Sequence, residues 1–403
     1  MARILFVNVS SEGHVNPTIG LVKELVDNGE EVVYMCTEDY RNKIVQTGAE
    51  FRAYPINKDL FDELGFYPTE VKHMFQFTDF ILRGIIEPQI PEILRLVENE
   101  SFDYMIYDSM FGWGGSIIAE KLGIPAICST TYFIFTDTML PQEELADPTE
   151  LDLGPLRERI ESTTARIANL FQVSIPPIEN IFTQKGMSHL VFTSRYFQPD
   201  AHKLDDSYLF TGPSITPRLD APDFPFELLR SRYEQVVYIS MGTILNKDME
   251  FYKLCFEAFQ DLSVQFVLSC GKDTDLDSLS DCIPHNFIIE PYVPQLEVLQ
   301  QVDAFITHAG MNSASEALYY HVPLVTIPLS SDQPVIAKRV EELGAGMMLD
   351  KNNLTTEGLR SAVLQVLHDD SYKKNAEQIG DSFRDAGGYK EAANRIMSLF
   401  SKV

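Results

Sequence analysis

"RILFVNVSSEGHVNPTIGLVKELVDNGEEVVYMC", residues 3–36, decides the fold class. The apolar run "RILFVNV" has the length and β-branched content of a buried strand. A polar loop, "SSEGHVN", leads into the helical stretch "PTIGLVKELVDNG", where Pro17 suits a first turn and Gly29 an end. "EVVYMC" is the next strand. Strand, helix and strand at this spacing predict a right-handed βαβ unit and a parallel sheet.

The same alternation extends outward from this stretch. "FDYMIYD" (strand), "GSIIAEKLG" (helix) and "IPAICS" (strand) continue the first series, and residues 56 to 100 read as irregular, aromatic-rich helix. A second series starts near residue 235 with the strand "QVVYISMG", the helix "DMEFYKLCFEAFQDL" and the strand "VQFVLSCG". "NFIIEPY", "QLEVLQQV", "DAFITH", "SASEALYYH" and "VPLVTIPL" then alternate strand with helix. Between the series Pro213, Pro217, Pro222 and Pro225 interrupt any period and mark a linker. The expected architecture is α/β: two facing Rossmann-like, doubly wound domains with a ligand-binding cleft between them. Their expected bounds are 1–212 and 234–385, with the linker at 213–233 and a final helix, 386–403, packing back on the first domain.

Composition excludes several functions. With 59 acidic against 32 basic residues, the net charge of −27 repels nucleic acid and anionic lipid. An anionic small molecule remains acceptable, because exposed charges are screened beyond about 8 Å at physiological salt. No apolar run approaches the roughly 18 to 20 residues of a membrane span, and the N-terminal sequence reads as a strand and not as a signal peptide. Five scattered cysteines without a Cys-x-x-Cys pair predict neither disulfides nor a zinc site and point to a cytoplasmic protein. A monomer or weak dimer is expected. A P-loop and a G-x-G-x-x-G turn are both missing, which disfavours P-loop NTPases and ordinary dinucleotide dehydrogenases.

A binding site is legible in "DAFITHAGMNSASEAL", residues 303–318. His308 is expected at the carboxyl end of a strand, where open α/β sheets bind ligands. Gly310 permits close backbone approach, and Asn312 and Ser313 open a helix whose N-terminal amides favour a diphosphate. Glu316, one turn on, suits the two hydroxyls of a ribose. The competing reading is local: Ser313 to Glu316 also spells an S-x-x-E capping box, in which the carboxylate only caps its helix. Other segments reach the same rim. "SMGT" brings Thr243, "PYVPQ" precedes a helix, and "PLSSDQPVIAKRV" brings Asp332 and Gln333.

Together these segments resemble the nucleotide-sugar signature of family 1 glycosyltransferases, in their bacterial macrolide and flavonoid branch, over nearly the whole chain. The resemblance implies the GT-B fold, with an acceptor-binding first domain and a nucleotide-sugar-binding second domain. It assigns His308, Ser313, Thr243 and the Asn312 turn to the diphosphate, and Glu316 to the ribose. Gln295 and the Val293 backbone would hold the base, and Asp332 and Gln333 the sugar hydroxyls. Tyr292 stands where plant relatives have a stacking tryptophan, and Met311 where they have another. Glu316 accepting from both ribose hydroxyls favours UDP over dTDP.

Transfer of a sugar to a hydroxyl needs a base. His14, in the loop after the first strand, can accept a proton near neutral pH. Asp108, ending "DYMIYD", would fix its tautomer; alone, such an aspartate is an ordinary turn former. Family members have both at matching positions. The expected reaction is an inverting, metal-independent hexosyl transfer from a UDP-sugar co-substrate, UDP-glucose foremost, to a small hydrophobic alcohol or phenol. No cofactor is expected. Phe61, Phe66, Phe75, Met110, Phe111, Trp113, Tyr132 and Phe133 are candidates for an apolar acceptor pocket, or for the first domain's core. A sugar-nucleotide epimerase and a non-catalytic nucleotide-binding homologue are the alternatives.

Overall fold

Ile4 and Phe6 join one buried cluster, whereas Leu5 and Val7 join another. A strand buried on both faces belongs inside a parallel sheet covered by helices. In the computed structural model of the chain, that strand is β1 (Arg3–Val7), followed by β2 (Glu31–Cys36), β3 (Glu50–Ala53) and β4 (Tyr104–Asp108). β5 (Ala126–Thr130), β6 (Ser188–Val191) and β7 (Tyr208–Phe210) complete an all-parallel sheet of order β3-β2-β1-β4-β5-β6-β7. The structure describes residues 1–56, 74–136, 153–175, 188–218, 221–242, 248–272, 274 and 282–400.

The second sheet is also parallel. It contains β8 (Gln235–Ser240), β9 (Val264–Ser269), β10 (Phe287–Glu290), β11 (Ala304–Thr307), β12 (Leu324–Thr326) and β13 (Gly346–Met348). Their order is β10-β9-β8-β11-β12-β13. The chain divides into two compact units, Met1–Ser214 with Ala386–Val403, and Ile215–Asp385. The expected pair of Rossmann-like α/β sheets is present. In each unit the strand order reverses at one point, between β1 and β4 and between β8 and β11. Connections leave such a point in opposite directions and open a crevice at the carboxyl ends of the strands.

The first helix corrects the sequence reading. It runs Glu12–Asp27, so Pro17 lies inside it and His14 stands on its first turn and not in a loop. Ser11, extended at φ −151°, is the N-cap, and its carbonyl accepts from the amides of His14 (3.0 Å) and Val15 (2.9 Å). Glu12 in the first turn favours this start through the helix dipole. Pro17 withholds only the hydrogen bond that the Gly13 carbonyl would receive. Val15, Leu21, Val22 and Leu25 pack in the same cluster as Ala392, Ala393 and Ile396 of the helix Gly388–Phe400. Phe400 stacks on Tyr104 with ring centroids 4.1 Å apart.

The helix Trp113–Leu122 approaches the sheet through a glycine. A Cβ on Gly115 would stand 1.9 Å from the Tyr107 ring, whereas one on Gly114 meets the methyl carbon of Ile90 at 3.3 Å. Tyr107 is fully buried on β4 and has no room to yield. Gly115→Ala is therefore expected to cost about 3 kcal/mol of stability and Gly114→Ala under about 1 kcal/mol. Urea unfolding midpoints check this, and equal midpoints for the two variants would refute it.

Candidate active site

Each switch point carries polar residues. In the first unit Asp108 ends β4 and is fully buried. Its Oδ1 accepts from the Met110 amide at 2.8 Å, capping the turn Ser109–Phe111. Its Oδ2 lies 2.8 Å from Nδ1 of His14. The ordinary turn-forming role and the pairing with histidine thus coexist, one on each oxygen. A carboxylate only accepts, so Nδ1 carries the proton and the basic lone pair falls on Nε2. Thr131, directly after β5, places Oγ1 3.2 Å from the same Nδ1. Asn8 fixes the backbone by donating from Nδ2 to the His14 carbonyl (3.1 Å) and to the Tyr34 hydroxyl (2.6 Å).

In the second unit His308 follows β11, beside the end of β8. Its imidazole sits between two glycines: a Cβ on Gly242 would lie 2.7 Å from Cε1, and one on Gly310 2.6 Å from Nε2. Gly242 has φ +83° and Ala309 φ +63°, so the turn holds a buried alanine in the left-handed region, at a cost of about 1 kcal/mol or more. Burial lowers the His308 pKa from 6.5 to about 4, against the opposing hydrogen bond with the Ser240 backbone. The ring is therefore neutral at physiological pH and can serve a ligand as an N–H donor.

The next helix, Met311–Tyr319, has Gly310 as its N-cap and no side-chain cap. Its first-turn amides find no acceptor within the helix, which suits an anion. Asn312 and Ser313 both lie in that first turn. The capping-box alternative is excluded, because Ser313 is not the N-cap and Glu316 points elsewhere. Glu316 is buried; Oε1 pairs with Arg218 and Oε2 accepts from Gln295 Nε2 at 2.6 Å. Gln295 in turn accepts from the Tyr238 hydroxyl at 3.2 Å. Burial raises the Glu316 pKa, opposed by the Arg218 charge and the Gln295 hydrogen bond.

Tyr292 is 40% exposed, with Lys272 Nζ 5.2 Å from its ring centroid, and Val293 beside it is buried. Gln333 is buried and partly committed: Oε1 accepts from the amides of Leu329 (2.8 Å) and Ser330 (3.1 Å). Asp332, half-buried, precedes it. Thr243, Phe61 and Phe66 lie outside the described residues. Among the other acceptor candidates, Phe111, Trp113 and Phe133 are buried in packing and fill the core. Phe75 and Met110 are half-buried against it, and Tyr132 meets His14 edge-on, centroids 6.4 Å apart. The structure thus brings together His14 with Asp108, His308 with Gly310, and Gln295 with Glu316. Arg218, Thr131 and Tyr238 were not read from the sequence. Thr131 had a signal, being at the end of the strand next to β4; Arg218, in a Pro-rich stretch without period, had none.

Residues 225–386 match the family model for UDP-glucuronosyl and UDP-glucosyl transferases, and residues 4–141 that for the glycosyltransferase family 28 N-terminal domain. The uncharacterized UDP-glucosyltransferase YojK of Bacillus subtilis (strain 168) is 37% identical over 401 residues, covering 98% of this chain and 97% of that protein. The chain belongs to the family 1 glycosyltransferases. Its similarity to the antibiotic-type branch spans the full length. The oleandomycin glycosyltransferase of Streptomyces antibioticus is 25% identical, with 98% of this chain and 90% of that one covered. The crystal structure of CalG4, the calicheamicin glycosyltransferase, matches this glycosyltransferase with a TM-score of 0.85, at 25% identity over 100% of this chain and 99% of that one. The fold is accordingly GT-B. Among the described residues no helix is long and apolar enough to cross a membrane.

Proposed function

We propose that this glycosyltransferase moves a hexose, glucose foremost, from UDP onto a hydroxyl of a small hydrophobic acceptor such as a macrolide, a flavonoid or another phenol. The observation that carries the reading is the 2.8 Å contact between partly exposed His14 and buried Asp108 at the switch point of the first sheet. His14 Nε2 takes the acceptor proton as the acceptor oxygen forms its bond to the anomeric carbon. The bond from that carbon to the diphosphate breaks on the opposite face, and its electron pair leaves with UDP. One displacement inverts the configuration, so an α-linked donor gives a β-glycoside. Asp108 orients the imidazole and stabilises the imidazolium. The His308 N–H and the amides at Met311 to Ser313 receive the developing charge of the leaving diphosphate.

The acceptor class is supported by the names of the relatives, one an oleandomycin glycosyltransferase and one the calicheamicin glycosyltransferase. Tyr132, edge-on to His14, and Met110, whose amide donates to Asp108, are the side chains we assign to the acceptor. UDP is favoured over dTDP because Glu316 offers lone pairs to both ribose hydroxyls. We assign the reaction no resident metal or cofactor; among the described residues no three His, Cys, Asp or Glu side chains form a ligand set. Five scattered cysteines without a Cys-x-x-Cys pair fit a reducing, cytoplasmic setting. Full-length kinship with UDP-glucosyltransferases leaves the epimerase reading without support.

The test is mass spectrometry after incubation with UDP-glucose and a panel of phenols and macrolides, with and without EDTA. A product heavier by one hexose, unaffected by EDTA, is expected. Retained anomeric configuration, seen in the NMR coupling, would rule out the single displacement. Collapse of transfer on EDTA would overturn the metal-independent reading.

A further inference from the structure

Arg218 stands four residues into the second unit, between Pro217 and the residues before Pro222. Its Nη2 reaches Oε1 of Glu316, 98 positions away in sequence, while Gln295 holds Oε2. The carboxylate is thus clamped by two donors, one on each oxygen, and Gln295 is itself oriented by Tyr238. An ionised carboxylate has about four lone-pair sites. Two are occupied here, and one on each oxygen remains, the number that a ribose diol needs.

We infer that Arg218 is a positioning residue for nucleotide recognition: by clamping Glu316 against Gln295 it sets the preference for a ribonucleotide over a 2′-deoxyribonucleotide donor. The inference rests on the proposed donor site, in which Glu316 meets the ribose. Arg218 needs no contact with the nucleotide in this role. A carboxylate buried without a cation gives up its charge, and a protonated Glu316 could no longer accept from both hydroxyls. Among the described residues, the charged and titratable groups around Glu316 are Arg218, Glu297, Tyr238 and Tyr320. Among these Arg218 is the only cation. Once it is removed, burial and the charge of Glu297 both push the Glu316 pKa upward.

The experiment is calorimetry of UDP and 2′-deoxy-UDP binding at pH 6, 7 and 8. Wild-type protein is expected to prefer UDP by about tenfold or more, the effect of one hydrogen bond to a charged group. Arg218→Ala should reduce that ratio to within about threefold, mainly by weakening UDP. In this variant UDP affinity should rise with pH as Glu316 loses its proton, with a flatter profile for 2′-deoxy-UDP. Arg218→Lys, which keeps a cation, should restore most of the ratio, and Arg218→Gln serves the same test if the alanine variant does not fold. An unchanged ratio in the neutral variants, or an equal loss for both nucleotides, would overturn the inference. Wild-type protein that binds both nucleotides alike overturns it together with the ribose role of Glu316, and leaves the diphosphate site standing. Wild-type protein that binds neither overturns the donor site with it.

Discussion

His14→Ala is expected to lower kcat for sugar transfer by about 10³-fold while leaving UDP affinity within about twofold, because general-base catalysis contributes roughly 10²- to 10⁴-fold. The nucleotide-binding candidates all come from the second unit, so binding reports their integrity independently of the base. Asp108→Asn is the sharper variant. Its carboxamide oxygen can still accept from the Met110 amide, which preserves the turn that Asp108 caps at 2.8 Å. Its amide group would face Nδ1 of His14 in place of the carboxylate oxygen now at 2.8 Å. Two donors cannot share that line, so the ring is driven to the tautomer with its lone pair on Nδ1 and loses its base on Nε2. A loss of about 10³ in kcat is expected, matching His14→Ala, because the same base is lost. Asp108→Ala would also remove the cap, at about 1 kcal/mol, and so mixes stability with catalysis. Steady-state kinetics and UDP calorimetry on the same preparations separate the two. Retention of more than a tenth of wild-type kcat in His14→Ala would take the imidazole out of the proton transfer.

The sequence carried the fold because buried parallel strands are short apolar runs, and those from "RILFVNV" to "VPLVTIPL" stand out between amphipathic helices. It was less informative where tertiary context decides. "HLV" in β6 and "GMM" in β13 are too short to stand out, and pairing with β5 and β12 makes them strands. Pro17 looked like a first-turn residue, yet Ser11 and Glu12 start the helix earlier. That shift places His14 on a rigid turn. The S-x-x-E pattern was misleading for a related reason: Gly310 had already begun the helix, which freed Glu316 for partners distant in sequence. The dyad and the His308 turn were legible because strand ends at a switch point are fixed by topology. Arg218 was not, since nothing local distinguishes an arginine aimed at a buried carboxylate from one on the surface.

Gly242→Ala is expected to lower UDP affinity by about 100-fold, near 2.7 kcal/mol. Two costs combine. At φ +83° an L-residue is strained, and the added Cβ would lie 2.7 Å from Cε1 and 2.8 Å from Nε2 of His308. The backbone turn is held by β8 and β11, so the imidazole must leave the space between Gly242 and Gly310. That displacement has its own signature. Burial now holds the His308 pKa at about 4, below the ordinary 6.5. In unfolded protein the same ring takes up a proton below about 6.5, so its contribution to stability is intact above that pH and is lost as pH falls toward 4. The loss is on the order of 3 kcal/mol. A ring pushed toward water in Gly242→Ala should titrate near 6.5, visible in its NMR shifts, and the acid-side loss of stability should shrink. Gly310→Ala, with its Cβ 2.6 Å from Nε2, should behave alike. If the His308 resonance moves while UDP affinity stays at the wild-type value, the diphosphate does not rest on this ring, and the first-turn amides of Met311–Tyr319 must hold it without the histidine.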